Sequence, residues 1–564
     1  MRFKKSLDLL LLEASQSGEY TFKRTLGLWN LIALGVGAII GAGLFVRTAA
    51  AASEHAGPSV TLGFVLAAIG CALAGLCYAE FSSMIPIAGS AYTYAYTSLG
   101  EIVAWILGWN LLLEYAISNV AVAISWSKYF VDLMEGLGIH VPEFLTMDYL
   151  SAKRAFVEAM PLLQSGQTLQ SLSVNLREGY LAYESAPTLF GWHFVANLPA
   201  LLITVAITYL VYIGIKESKN TNNVLVILKL LVIAIVIGVG AFYVQVENWT
   251  PFAPNGISGV LKSVAAVCFA YIGFDSISTT AEECKNPQRD IPKAMMWALI
   301  ICTTLYVLVT LVLTGIVPSH QLTGIEDPLA FMFMKVNLPG VAGVVAASAV
   351  IALTSALLVY QLGQPRIWMT MSRDGLLPKA FARIHPKYRT PSFSTIMTGV
   401  LVGVPALFAN LEEVINLSSI GTLFAFVLVC AGVLILDLDP ENQKKSKFKI
   451  PYVNASIWVG LAWVVALYLS LPDSASWSTW LGSYFEGEAK ADHWIMSGFF
   501  IIWLVLAFFS YTHRLSLIPI LGLLVNLYLM TQMGATNWER FAYWCLAGVV
   551  IYFGYSYRKS KLNS

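Results

Sequence analysis

The chain has 564 residues, 57% of them hydrophobic and only 12% charged, with a mean hydropathy of +0.69 and a formal net charge of +1. A soluble domain carries about 25% charged residues, so a water-soluble globular fold is excluded. The near-neutral charge offers no pointer to a nucleic-acid partner. Runs of about 20 apolar residues, each long enough to cross a bilayer, recur along most of the sequence and predict an all-α polytopic membrane protein.

The segment 1–27 is expected to be a cytoplasmic tail. Met1–Lys5 is basic, but the apolar run Leu9–Leu12 is too short for the core of a secretory signal and Glu13 closes it. Fourteen spans then follow, at 28–52, 58–83, 100–133, 193–215, 222–246, 259–281, 294–317, 340–370, 394–410, 415–436, 454–471, 494–511, 516–533 and 538–556. An even number returns the tail 557–564 to the side of the first. The charges agree with that count. Lys4, Lys5, Lys23 and Arg24, then Lys285, Arg289 and Lys293, then Arg373, Lys379, Arg383 and Arg389, then Lys444–Lys449 in the loop 437–453, and last Arg558, Lys559 and Lys561 all fall on one side. Loops between them, such as 247–256 and 319–327, are poor in Lys and Arg, and the positive-inside rule places both termini in the cytoplasm. Two loops on the other side are long. The loop 135–190 mixes apolar and charged residues and is expected to hold a short amphipathic helix over the outer mouth, and 472–493 is rich in aromatics and acids. The seven cysteines fall in predicted spans or near cytoplasmic ends, so no structural disulfide is expected.

Chemistry-bearing residues appear inside the spans. The first holds GVGAIIGAGLF, with Gly35, Gly37, Gly41 and Gly43 close together. Tight packing by small residues is one explanation. The other is an interrupted helix, because the sixth span carries Tyr271-Ile272-Gly273 at a corresponding place, and paired interruptions in two halves of a chain point to a transporter site at the midplane. Unwinding frees backbone N–H groups for a carboxylate and carbonyls for an ammonium, the two ends of an amino acid. In the third span Glu114 shares a helical stripe with Asn110 and Ser118. In the fifth, Lys229 lies seven residues after Asn222, and in the sixth Asp275 opens a cluster with Ser278 and Thr279. A buried ion pair, or for Lys229 a snorkelling side chain, competes with function at each, although ionisable groups at such depth are functional candidates by default. Burial disfavours the charged form of an amine, so a lysine there could load and release a proton, or stand where a coupling cation would sit against carbonyls of the broken first helix. No nucleophile–base constellation and no Cys/His metal spacing is present, so no enzyme activity, cofactor or metal is expected.

The stretches GVGAIIGAGLF (35–45), YAEFSSMIPIAGSAYTYAYTSLGE (78–101), GWNLLLEYAIS (108–118), NNVLVILK (222–229), FAYIGFDSISTTAEECKNPQRDIPKA (269–294) and LGQPRIWMTMSRDGLLP (362–378), with the tail 516–560, resemble in order the amino acid–polyamine–organocation superfamily, and specifically its cationic amino acid transporter family. The resemblance implies a leucine-transporter-like core, 28–436, of ten helices in two inverted repeats of five, with four additional helices over 454–556. It implies that Ile39, Gly41, Ala42, Gly43, Phe269, Ala270 and Ile272 supply backbone contacts to the substrate amine and carboxylate, with Gly41, Gly43 and Gly273 permitting the breaks. Glu114 and Asp275 match acidic positions at the side-chain end of the pocket. Lys229 matches the lysine that replaces sodium in proton-coupled relatives. Ala42 stands where a small hydroxyl residue is usual, and Tyr360 where a smaller side chain is usual, so Tyr360 would narrow a pocket that it faced. The expected function is therefore proton-coupled symport of L-amino acids into the cell, with a pocket that could favour cationic side chains, across a plasma membrane or bacterial inner membrane. A sodium-independent exchanger is the alternative of the same class, and a non-transporting amino acid sensor that of a different class. The partners implied are the amino acid, protons and the lipid bilayer, with no accessory subunit assigned.

Overall fold

The computed structural model describes residues 5, 22, 24–45, 47–189, 192–325, 327–438, 446–470 and 491–562. The predicted outer loop 472–493 lies almost wholly outside these. The fold is helical, apart from a two-residue hairpin of β1 (Thr188–Leu189) and β2 (Trp192–His193). The main helices are α1 (Leu28–Ile39), the short α2 (Ala42–Phe45), α3 (Val60–Met84), α4 (Glu101–Gly136), α5 (Tyr149–Gln164), α6 (Val174–Ser185), α7 (Leu198–Ile213), α8 (Ile215–Gly240), α9 (Gly256–Cys268), α10 (Ser276–Thr279), α11 (Pro287–Ile316), α12 (Pro328–Lys335), α13 (Pro339–Arg373), α14 (Ser392–Phe408), α15 (Leu411–Leu436), α16 (Trp458–Ser470), α17 (Ala491–His513), α18 (Leu517–Thr531) and α19 (Ala535–Ile551).

Among the described residues, eight helices are long and apolar enough to cross a membrane, or nine if the pair Leu517–Thr531 and Ala535–Lys559, bent by 111°, is one span. Four shorter apolar helices, Leu28–Ile39, Leu198–Ile213, Ser392–Phe408 and Trp458–Tyr468, occupy other predicted positions. Local chemistry explains the difference from a plain run of fourteen long helices. The first span is cut at Ile40, whose backbone leaves the helix. A glycine at φ +146°, Gly214, separates α7 from α8.

Polarity is arranged for a lipid solvent. Leu202, Val205 and Tyr209, spaced i, i+3, i+7 on α7, are exposed, as are Val224, Ile227, Leu231 and Ile235 along α8. The interior instead holds Asn110, Glu114, Asn119, Lys229, Asp275, Gln361, Gln364 and Arg366, all buried. Apolar side chains facing outward cost nothing against hydrocarbon, whereas buried polar groups require partners. Most find them across helices: Asn119 donates to Gln361, which donates to Thr208 Oγ1 at 2.6 Å, and Ser118 pairs with Ser418 at 2.5 Å.

The loop 135–190 holds two helices where one was expected. α5 and α6 stack through Phe156 against Tyr180 and Tyr183, around a small core of Ala152, Ala182, Ala186 and Val195. Asn410 Nδ2 donates to Ser151 Oγ at 2.9 Å, and Arg154 pairs with Glu413 at 3.7 Å, tethering this layer to the start of α15.

Candidate functional site

The two predicted interruptions are present, and they face each other. After α1 the chain passes Ile40 (φ −78°, ψ 87°) and Gly41 before α2 resumes at Ala42. After α9 a 3-10 turn, Phe269–Tyr271, leads to Ile272 in extended geometry and Gly273 at φ +112° before α10. A Cβ on Gly43 would strike Ala270 Cα and Cβ, and one on Gly273 would lie 2.8 Å from Ala38 Cβ, so the broken ends approach at distances only glycine permits. The resulting loose carbonyls are held by tyrosines. Tyr306 of α11 places its hydroxyl 2.8 Å from Ile39 O and 2.9 Å from Ala270 O, so one donor bridges both breaks. Tyr360 of α13 donates to Ile272 O at 3.1 Å.

Lys229 of α8 enters the first break. Its Nζ donates to Gly37 O at 3.0 Å, Ile40 O at 3.1 Å and Ser355 Oγ at 3.4 Å. Ser355 in turn donates to Asn222 Oδ1 at 2.8 Å, and Asn222 Nδ2 donates to Ala33 O at 3.2 Å. The lysine is buried and touches no carboxylate among the described residues. A buried ammonium held only by neutral oxygens is poorly compensated.

The acidic groups lie beyond the breaks, toward α15. Asp275 Oδ2 accepts from Tyr115 OH at 2.8 Å, and Tyr115 meets Tyr360 edge to face at 6.0 Å. The stripe of Asn110, Glu114 and Ser118 packs on α15, where a Cβ on Gly421 would lie 3.8 Å from Glu114 Cβ. Glu114 Oε2, Asp275 Oδ1, Tyr78 OH and Gln364 Oε1 are buried without a hydrogen-bond partner. Orphaned polar atoms in a native interior call for a proton, water or ligand.

The face that carries Lys5 and Lys561 is laced shut. Thr25 N and Leu26 N donate to Glu283 O at 2.9 and 3.0 Å, and Lys285 N returns a bond to Leu26 O at 2.9 Å. Arg366 grips Glu283 through two nitrogens at 2.8 and 2.6 Å, and Arg373 grips both oxygens of Glu282 at 2.9 Å. Burial raises the Glu283 carboxyl above its usual range, opposed by the Arg366 guanidinium. Phe22 lies under both arginines, 5.7 and 6.0 Å from their centres. Lys5 Nζ reaches Asp374 Oδ1 at 2.6 Å, while Lys561 N donates to Asp374 O at 3.2 Å and Ser560 bonds Glu101. On the opposite side of the breaks a cavity of 490 Å³ opens between the segment after α2, α9 and the end of α18.

Interrupted helices that meet at one place, a lysine in the break, and one closed and one open face together describe a carrier. The amino acid permease family model matches residues 26–552. The chain belongs to the amino acid permease family. It is 38% identical over 560 residues to the branched-chain amino acid permease BcaP of Bacillus subtilis (strain 168), covering 99% of this chain and 98% of that one. It is 38% identical over 518 residues to the methylthioribose transporter of the same organism, covering 91% and 98%. It is also 32% identical to the human cationic amino acid transporter 4, covering 97% and 89%. The relatives are transporters and not enzymes.

In this permease Ile39, Gly41, Gly43, Phe269, Ala270, Ile272, Gly273 and Tyr360 gather around the two breaks, with Ala42 opening α2 and Lys229 behind the first break. Glu114 and Asp275 form a separate acidic patch beside the tyrosines. Tyr306 and Tyr115 escaped sequence reasoning. A mid-span tyrosine in an apolar run such as LIICTTLYVLV reads as an ordinary packed aromatic, and its polar partners, carbonyls freed by a break elsewhere, leave no local sign.

Proposed function

We propose that this permease is a proton-coupled symporter that imports L-amino acids, with fourteen spans, both termini cytoplasmic and a core of two inverted repeats of five. The observation that carries the reading is the position of Lys229 Nζ on the carbonyls of Gly37 and Ile40. A coupling sodium ion would require a cluster of oxygen ligands at such a break. Here an amine fills that place, and its deprotonation would loosen the first helix. In this reading the amino group of the substrate bonds the carbonyls of Ala270 and Ile272, which have second lone pairs to offer beside the tyrosine hydroxyls, while Ile39 O already accepts from both Gly41 N and Tyr306 OH. Its carboxylate meets the N–H groups of Ala42 and Gly43 at the start of α2, where the helix dipole is positive. Glu114 and Asp275 face the side-chain end, where two neighbouring carboxylates can hold a cation or share a proton.

The laced terminal face and the open cavity opposite fit an outward-facing carrier in a plasma membrane or bacterial inner membrane. Transport would follow when the helices bearing the breaks rock and part the Arg366–Glu283 lacing. Amino acid transport is what the names of the relatives support, and proton coupling is what Lys229 supports. Proteoliposomes carrying the permease should accumulate labelled amino acid under an inward proton gradient, in sodium-free buffer, and Lys229→Ala should reduce gradient-driven uptake by at least about tenfold. Equal uptake with and without the gradient would remove the proton claim and favour exchange.

A further inference from the structure

The 490 Å³ cavity on the open face is built on two elements that pack closely. Asn255 Nδ2 donates to His55 O at 2.7 Å, and a Cβ on Gly259 would lie 2.5 Å from the same carbonyl, so the π-helical turn Ala51–Ala56 is seated on the start of α9. Glu54 lines the cavity from that turn, and Lys262 lines it from α9, one helical turn past Gly259. Both side chains are exposed, and among the described residues neither forms an ion pair or a side-chain hydrogen bond. Arg47 also lines the cavity but has an interaction of its own, so it adds no unpaired charge. The unpaired fixed charges of the cavity are therefore one ammonium and one carboxylate, which sum to zero. Two opposite charges that line one cavity without meeting leave room for a molecule that carries both signs. The cavity falls within the range of small-molecule pockets, about 300–1,000 Å³, and its apolar lining is small: Ala50, Ala51, Ala265 and Ala266, with Met533.

We propose that this cavity is a second, outer binding site for a zwitterionic amino acid with an apolar side chain, its carboxylate on Lys262, its ammonium on Glu54 and its side chain on the alanines and Met533. The proposal rests on the amino acid transport reading above and supplies a substrate class for it. Lys262 stands seven residues before Phe269. At 1.5 Å per helical residue that is about 10 Å along α9 from the second break, so the outer site is separate from the breaks and lies on their open side. A zwitterion satisfies both charges and leaves none over. Arginine or lysine would bring a third charge, for which the pair Lys262 and Glu54 has no partner. Both contacts are made in solvent, so the site is weak and its occupancy depends on ionic strength. Such a site holds substrate at the mouth before it reaches the breaks.

The test is equilibrium dialysis of labelled leucine against the purified full chain. At an ionic strength of about 20 mM the wild-type chain should show two components, a tighter one and a weaker one, and raising it to about 500 mM should weaken the second about fivefold. Lys262→Glu and Glu54→Lys should each weaken that component about tenfold, because each removes an attraction and adds a repulsion. The double variant, Glu54→Lys with Lys262→Glu, again sets an ammonium and a carboxylate across the cavity and should recover the weaker component to within about twofold of wild type. Arginine should fill it at least about fivefold less well than leucine. The salt and arginine arms use the wild-type chain, so they decide the matter even where a variant fails to fold. A single component in the wild-type chain, or a weaker one that neither salt nor the charge reversals move by more than about twofold, overturns the outer site while leaving amino acid transport intact. A wild-type chain that binds no leucine in either component overturns the transport reading itself.

Discussion

At the scale of single residues, the site depends on hydroxyl and amine donors that satisfy carbonyls released by the helix breaks. Tyr306 does this with a single proton placed between Ile39 O and Ala270 O, of which Ile39 O also accepts from Gly41 N at 2.9 Å. Tyr306→Phe keeps the ring, which packs edge-on against Phe64 and Tyr271, and removes only the donor. Ile39 O keeps its bond from Gly41 N, and leaving the buried Ala270 carbonyl unpaired costs about 1–3 kcal/mol. The variant should therefore lose thermal stability by that amount and raise KM without abolishing turnover, and a variant indistinguishable from wild type in unfolding and in KM would contradict the bridging role. Lys229 and Asp275 were legible as charges stranded in apolar runs. The partners of Lys229 were legible in kind, as carbonyls of the first break, because an amine so placed has few other acceptors. The tyrosines were not, since a phenol inside a span looks the same whether it packs or donates. Tyr360 was expected to narrow a pocket that it faced and to add a polar hydroxyl there; that hydroxyl donates to Ile272 O at the second break.

At the scale of elements, the terminal face is held by a buried bidentate pair between α13 and the chain after α10. Removing one partner of such a pair strands the other charge and costs about 3–5 kcal/mol. Arg366→Ala should thus destabilise the protein strongly in thermal unfolding, and replacing Arg366 and Glu283 together by apolar residues should recover much of the loss. Equal destabilisation by the single and double variants would show that the pair is not the source. A second element has a pH signature. Asp327 caps α12, accepting from Ala330 N at 3.1 Å, and burial, with the like charge of Asp132 near it, pushes its carboxyl up to about 6 from an ordinary 3.8. Between those values the folded protein holds a proton that the unfolded chain releases, so stability falls as pH rises through about 4 to 6 and the loss is complete above that. Asp327→Asn keeps a capping oxygen and cannot ionise. It should match wild type near pH 4 and be more stable by about 1–3 kcal/mol at pH 7, and a difference that is the same at both pH values would exclude ionisation as the cause. This cap lay outside the sequence reading, as did the pairing of α5 with α6, because both depend on contacts that local periodicity does not encode.

At the scale of the whole molecule, the apolar runs exposed the helical, membrane-crossing character of the chain, and the glycines and Tyr271-Ile272-Gly273 exposed the two helix breaks that meet inside it. The sequence could not show that one face is closed by arginines together with Lys5 and Lys561 while the other opens into a cavity, since Lys5, Glu101, Glu283, Arg366 and Lys561 come to this face from all parts of the chain. A carrier closed on one side and open on the other converts a gradient into accumulation only if something binds with the substrate, and in the proposed function Lys229 in the first break carries it. The most direct test is proton movement itself, read by a pH-sensitive dye trapped in proteoliposomes held without a membrane potential or sodium. Adding leucine outside should acidify the lumen in the wild-type chain and leave it unchanged in Lys229→Ala. Leucine entry with no acidification in the wild-type chain would contradict proton coupling.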